Sequence, residues 1–197
     1  MKIAISMAAL AASMLAAPTA AHAQRAPAAV IVVVDTDRIA RECTACRAAS
    51  TQMQNQENTL RTRAQTLQQQ LQTESQPIQT AVNALNGRQP DAALQQRITA
   101  FQTRERAAQQ ELATGQRNLQ STQLHVQQQI GTRLRTIIAS VAASRGANLS
   151  VDKGSTLYSA PAVEITDAVL AQLNQQLPAV SVTPLPQQQQ QQQTQGR

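Results

Sequence analysis

Residues 53–85 read MQNQENTLRTRAQTLQQQLQTESQPIQTAVNAL. The larger apolar residues, Met53, Leu60, Leu67, Leu71, Ile78, Val82 and Leu85, are spaced by 7, 7, 4, 7, 4 and 3 residues. A helix returns such positions to one narrow stripe, so the spacing predicts the seam of a long helix packed lengthwise against another. Upstream, Asp35, Thr36 and Asp37 have the short oxygen-bearing side chains that cap helix N-termini, and the helix is expected from about Arg38.

Downstream, Asn86-Gly87-Arg88-Gln89-Pro90-Asp91 breaks the rhythm with both strong helix breakers. A second rhythm follows: Leu94, Ile98, Phe101, Ala108, Leu112, Leu119, Val126, Ile130, Leu134, Ile137 and Val141, closed by Gly146 as a C′ residue. Two helices joined by so short a turn fold back antiparallel. Seam partners in such a hairpin have nearly constant number sums. Leu85 with Leu94, Ile78 with Phe101, Leu67 with Leu112, Leu60 with Leu119 and Met53 with Val126 all sum to 179. At about 1.5 Å per residue the helix from Ile39 to Leu85 reaches roughly 70 Å, an arm rather than a globule. Two irregularities stand out. Glu74 and Glu105 also sum to 179, which places two acids together in the seam, and Pro77 removes a helix donor nearby. Pro77 is a candidate hinge, against the plainer reading of a tolerated kink.

Outside the arm lie Val30-Ile31-Val32-Val33-Val34, β-branched throughout, and Asn148-Leu149-Ser150-Val151-Asp152. A turn at Lys153-Gly154 leads to Thr156-Leu157-Tyr158, read as a third strand, and Val163, Ile165, Val169, Leu173 and Leu177 suit a short amphipathic helix starting near Thr166. The fold class is therefore mainly α. A long antiparallel coiled-coil hairpin arm (38–145) is inserted in a small β-rich oligomerisation body (28–37 and 146–177), an α+β arrangement.

Composition agrees. One Phe, one Tyr and no Trp in 197 residues are too few for an ordinary single-chain core of this size, so oligomerisation is expected. Between Arg38 and Arg145 there are 13 Arg against six acids. A basic helical region attracts acidic polymers: nucleic acid, anionic lipid or acidic unfolded protein. The chain opens with Lys2 and an apolar stretch, Ile3 to Ala17, and then Ala21-His22-Ala23, a small-x-small cleavage pattern. This reads as a signal peptide, residues 1–23, cut after Ala23, and places the mature chain in the periplasm. Export leaves no nucleic acid as natural partner, but a weak contact with an anionic membrane surface stays open. Residues 178–197, with Pro178, Pro184, Pro186 and Gln187 to Gln193, are expected to form a disordered Pro/Gln-rich tail.

Chemistry is sparse. Cys43-Thr44-Ala45-Cys46 is a candidate disulfide in an oxidising compartment. Three readings stand: a structural staple near the arm root, an intersubunit bridge, or a redox site, the last wanting a βαβ setting that the long helix after Cys46 does not offer. His125, the lone mature histidine, has no second ligand at helical spacing and reads as an exposed spectator. No metal site, cofactor or catalytic constellation is expected, and the chain does not read as an enzyme.

The chain resembles the Skp/OmpH family of periplasmic chaperones. The likeness rests on the strand into Val34-Asp35-Thr36-Asp37-Arg38-Ile39, the Gln-rich hairpin, and above all the order of the closing pieces: Ala147-Asn148-Leu149-Ser150-Val151-Asp152, Leu157-Tyr158, then Glu164-Ile165-Thr166-Asp167-Ala168-Val169-Leu170. The resemblance implies a homotrimer whose arms enclose a cavity, and an ATP-independent holdase that binds unfolded outer-membrane proteins and prevents their aggregation before membrane insertion. Arg61, Arg63, Arg88, Arg97, Arg104, Arg106 and Arg117 are the candidate client-binding face. The alternative is a structural or adaptor coiled-coil protein of the cell envelope. Such hairpins are flanked by lengthy β domains, whereas only residues 28–37 and 146–177 flank this one.

Overall fold

The computed structural model describes residues 27–185; the expected signal segment (1–23) and the run Gln187–Gln193 lie outside the described residues. The molecule is mainly helical with one small strand pair. Strand β1 (Ile31–Val34) runs parallel to β2 (Leu149–Asp152), with Ile31 opposite Leu149 and Val34 opposite Asp152. Parallel neighbours need a long crossover. Here the crossover is nearly the whole molecule: α1 (Thr36–Glu42), α2 (Thr44–Ala84) and α3 (Ala92–Ser144). Helix α4 (Thr166–Gln176) closes the base.

Strand alternation sends Val32 and Val34 into the core, where they meet Ile39 and Cys43, Ile137 and Val141 of α3, and Ile165, Val169 and Leu173 around α4. Ile39, Val169 and Leu173 are fully buried. The roots of the long helices thus belong to the base core, not to the arm alone.

Polar bonds fix the corners. Asp35 caps α1, its carboxylate accepting from the Arg38 N–H at 2.7 Å, while its own N–H donates to Thr166 Oγ1 at 2.9 Å. Of the other cap candidates, Thr36 is the first helical residue and Asp37 lies in the first turn. Asp152 Oδ1 accepts from Thr36 Oγ1 (2.7 Å) and N–H (3.2 Å), and Oδ2 from the Gly154 N–H (3.2 Å). These bonds hold the Asp152 carboxyl below the usual carboxylate range, the Thr36 hydroxyl being the largest cause.

The expected third strand is not at Thr156–Tyr158. Asp152 turns the chain into a 3₁₀ turn, Lys153–Ser155, and Leu157 and Tyr158 stand in solvent. The backbone that reaches β1 instead is Glu164, bridged to Val33, followed by the Ile165 N–H donating to Val33 O at 2.9 Å.

Nor is the first long helix continuous. Cys43, with ψ at 124°, separates α1 from α2. Its sulfur accepts from the Cys46 N–H at 3.2 Å, and Asn174 of α4 caps the Thr44 N–H at 2.9 Å. Cys43 and Cys46 are joined in a disulfide within the chain, Cα atoms 5.1 Å apart, with Cys43 fully buried.

Beyond the root, α2 and α3 lie antiparallel, and 41 and 53 residues make them about 60 and 80 Å long. At the tip Asn86 and Gly87 take the left-handed conformation, φ 46° and 84°, and Asp91 caps α3 through the Leu94 N–H at 2.8 Å. The seam residues of both rhythms are buried or half-buried, Val82 excepted at 41 % exposure. Pro77 lies inside α2, exposed, and the helix continues through it.

The two acids expected to face each other do not. Glu74 pairs with Arg104 at 2.6 Å, while Glu105, one residue on, turns to solvent. Leu60 packs over Gly115, where an added Cβ would lie 2.5 Å from Leu60 Cδ1, and shares both neighbouring grooves with the anticipated Leu119 one turn away. Glycine at mid-helix costs about 1 kcal/mol against alanine, but its missing side chain is the hole that Leu60 fills.

The tail expectation fails for residues 178–185. Val180 packs on the base core, and Leu185 is 4 % exposed against the helix pair. A proline-rich, low-aromatic composition argued for disorder, but composition says nothing of main-chain partners supplied by another element.

Candidate functional site

The candidate face is built on the exposed positions of α2 and α3, where the seam pattern leaves arginine pointing outward. The structure divides the seven arginines in two. Arg61 bonds Glu57 one turn away (3.1 Å), Arg104 reaches Glu74 across the pair, and Arg63 forks onto both oxygens of Glu111 at 2.6 and 3.1 Å. The Arg63 fork pulls the Glu111 carboxyl below its ordinary value, and Glu111 in turn raises Arg63. The remaining four make no ion pair among the described residues. Arg88 donates to Leu85 O (3.2 Å), Arg106 to Gln102 O (3.3 Å) and Arg117 to Thr114 Oγ1 (2.9 Å), and Arg97 lies beside Leu85 and Leu94 at the tip. Those bonds orient a guanidinium without neutralising it.

The seven are not one patch. Arg88 and Arg97 sit together at the tip, Arg104 and Arg106 follow on α3, and Arg61 and Arg63 lie on two different sides of α2. Arg61 borders a groove of about 770 Å³ floored by Met53, Leu60, Leu112, Leu119 and Val126. Arg63 borders a second, of about 960 Å³, floored by Leu60, Gly115 and Leu119 and walled by Val182 to Pro184. Small residues, Ala64 in the first groove and Ala107 in the second, leave room along their walls. Chemically the surface offers separated positive charges over shallow apolar floors, suited to weak and numerous contacts.

Among the described residues no group of three or more His, Cys, Asp or Glu could hold a metal ion. His125 is no spectator: its Nδ1 lies 3.0 Å from Thr183 O, and because a carbonyl only accepts, that nitrogen carries the proton. Gln56, Gln129 and Ser121, which also bond residues 181–185, were not anticipated from sequence. The available signal was the alternation Val180-Ser181-Val182-Thr183, the period of an extended segment.

A family model described as "Outer membrane protein (OmpH-like)" matches residues 30–173. The chain belongs to the OmpH-like family. A crystal structure of an OmpH-like protein from Caulobacter crescentus CB15 superposes with a TM-score of 0.66, at 18 % identity, over 83 % of this chain and 95 % of that one. At that identity the likeness speaks for the fold alone. No curated protein matches the chain in sequence. The stretches on which the resemblance rests, Val34 to Ile39 and Ala147 to Asp152, build the base of this OmpH-like fold through Asp35, Thr36 and Asp152. The helix-pair surface carries the arginines, and the segment 181–185 lies beyond the matched range.

Proposed function

We propose that the protein is an ATP-independent holding chaperone of the periplasm that binds unfolded outer-membrane proteins between helical arms and keeps them from aggregating before insertion. The observation that carries this reading is the surface of the helix pair in a chain of this family. Long helices project from a small base, carry four arginines without carboxylate partners along their surface, and leave two grooves with apolar floors between them, bordered by the ion-paired Arg61 and Arg63. Unpaired charge attracts acidic clients over about 8 Å at physiological salt, and shallow apolar floors then shield client segments from one another. None of these contacts is deep, so release needs no nucleotide.

A homotrimer with coiled-coil arms and an enclosed cavity is part of the same proposal. Its support is an unpartnered apolar face on the base: Ile31 and Leu149, opposite each other in the strand pair, are 44 % and 47 % exposed, and Leu157 and Tyr158 are more exposed still. Such a face on a small monomer core calls for burial against further copies. No helix among the described residues is long and apolar enough to cross a membrane; contact with anionic lipid is proposed only as a weak surface attraction of the arginines.

The test is light scattering after a urea-unfolded outer-membrane β-barrel protein is diluted into buffer. Suppression without ATP, near one oligomer per client, is the expected result. Unsuppressed aggregation by folded, oligomeric protein would overturn the holding role and favour a structural or adaptor protein of the envelope. Sedimentation of wild type against Leu149→Asp tests the trimer: the variant should sediment as a monomer.

A further inference from the structure

We propose that the face of the helix pair around Ser121, His125 and Gln129 is a groove for extended polypeptide main chain, and that residues 181–185 are a strap of the protein's own chain seated in it. The inference rests on the holding role above for the identity of the competing occupant, an extended stretch of unfolded protein.

The strap's hydrogen bonds to the helix pair are all made by its backbone, and Leu185 adds one buried side chain at its end. Gln129 contacts Ser181 at two points, its Nε2 donating to Ser181 O (3.0 Å) and its Oε1 accepting from the Ser181 N–H (2.9 Å). Gln56 Nε2 donates to Val182 O at 2.9 Å, His125 Nδ1 to Thr183 O at 3.0 Å, and the Leu185 N–H to Ser121 Oγ at 2.9 Å. Ser181, Thr183 and Pro184 are exposed, and Leu185 is buried. Hydrogen bonds to N–H and C=O groups are indifferent to sequence, and the site asks only for an apolar side chain at the Leu185 position.

The spacing fits an extended chain of any composition. Ser181 meets Gln129, Thr183 meets His125 and Leu185 meets Ser121, so every second strap residue meets every fourth helix residue. Four helical residues rise about 6 Å and two extended residues about 6.6 Å, so the two repeats stay in step. The strap climbs toward the tip, and among the described residues it fills only the lower part of the groove. Above it the groove continues past Thr59 of α2 and Asn118, Thr114 and Gln110 of α3, amides and hydroxyls again, with Val182 to Pro184 at its mouth. Strap and client therefore compete, and the strap sets a threshold that only a segment with enough groove contacts passes.

The experiment measures fluorescence anisotropy of a labelled, uncharged peptide copying Ala179 to Leu185, added to the full chain. Leu185→Asp places a carboxylate where Leu185 is buried and unseats the strap from its own side. It should tighten peptide binding about tenfold if the strap is seated nine-tenths of the time. Gln129→Ala, added to Leu185→Asp, damages the groove side and should abolish that gain. Salt at 0.5 M should leave both results unchanged, unlike binding to the arginines. A chain ending at Val180 repeats the first arm should Leu185→Asp perturb folding. Equal peptide affinity in wild type and both unseated forms, or no loss on Gln129→Ala, overturns the groove. Suppression of client aggregation is scored separately. Peptide results as expected without suppression leave the groove standing and remove the holding role; suppression with flat peptide results does the reverse.

Discussion

The base and the helix pair solve folding in opposite ways. In the base, Ile39, Val169 and Leu173 show no exposed surface, and Asp35, Asp152 and Thr166 join segments more than 100 residues apart. Along the helix pair Thr122 (1 %) is buried at mid-length, but toward the tip the best-buried residues are only Ala108 (6 %), Leu94 (8 %) and Leu67 (9 %), and the ion pairs are solvent-facing. The difference separates stability from contact area: the base holds one conformation, and the helix pair presents surface.

Truncating the core tests this most strongly. Leu173→Ala should cost about 3 kcal/mol, and Leu71→Ala, half-buried in the seam, about 1 kcal/mol, read as shifts in the urea midpoint. Equal costs would break the comparison and mean that further copies bury the seam. Next in size is the disulfide, which sits where the two regions meet. Reducing Cys43–Cys46, a closed loop of a few residues, should cost about 2 kcal/mol and lower the urea midpoint. Should reduction also shorten the helix signal in circular dichroism, α2 depends on the base for its start.

The same contrast explains what was legible in the sequence. Periodic signals survive reading one residue at a time: the Leu60, Leu67, Leu71 rhythm and its α3 counterpart gave both long helices, Asn86-Gly87 gave the turn, and Thr166 gave the start of α4 within a residue. What failed depended on partners far away in the chain. Glu164 rather than Thr156 reaches β1 because Asp152 is held by Thr36, a bond across 116 residues. Cys43 ends α1 because its sulfur and Asn174 take over capping. Of the candidate site, the residue types were legible and their division was not. Whether an arginine is free depends on which acid the other helix brings within reach, as Glu111 does for Arg63 and Glu74 for Arg104. The strap was invisible for the same reason, since its bonds come from side chains about 50 to 130 residues away.

Acid should separate the regions by smaller amounts. The folded Asp152 carboxyl lies below its ordinary value, so the stability it adds is complete above the unfolded value of about 3.9 and is lost as pH falls through the lower folded value. Asp152→Asn should cost about 1 kcal/mol at pH 7 and flatten the acid limb of the urea-midpoint curve. An unchanged limb would assign acid sensitivity elsewhere.

The smallest expected change in stability accompanies a clear change in binding. Glu111 is solvent-facing and its only ion pair among the described residues is with Arg63, so Glu111→Gln should leave the urea midpoint where it is. It also frees Arg63 beside the larger groove and raises the local positive charge by one, so binding of an acidic unfolded client at low salt should tighten. Replacing Arg97, Arg106 and Arg117 together by Gln should act oppositely, weakening client binding several-fold with no loss of folding, because none of the three is spent on an ion pair among the described residues. Both effects should fade by 0.5 M salt, where screening shortens the reach of charge to about 4 Å. Glu111→Gln that destabilises without tightening would show that the Arg63 fork holds the two helices together, and would move that pair from the surface to the scaffold side of the comparison.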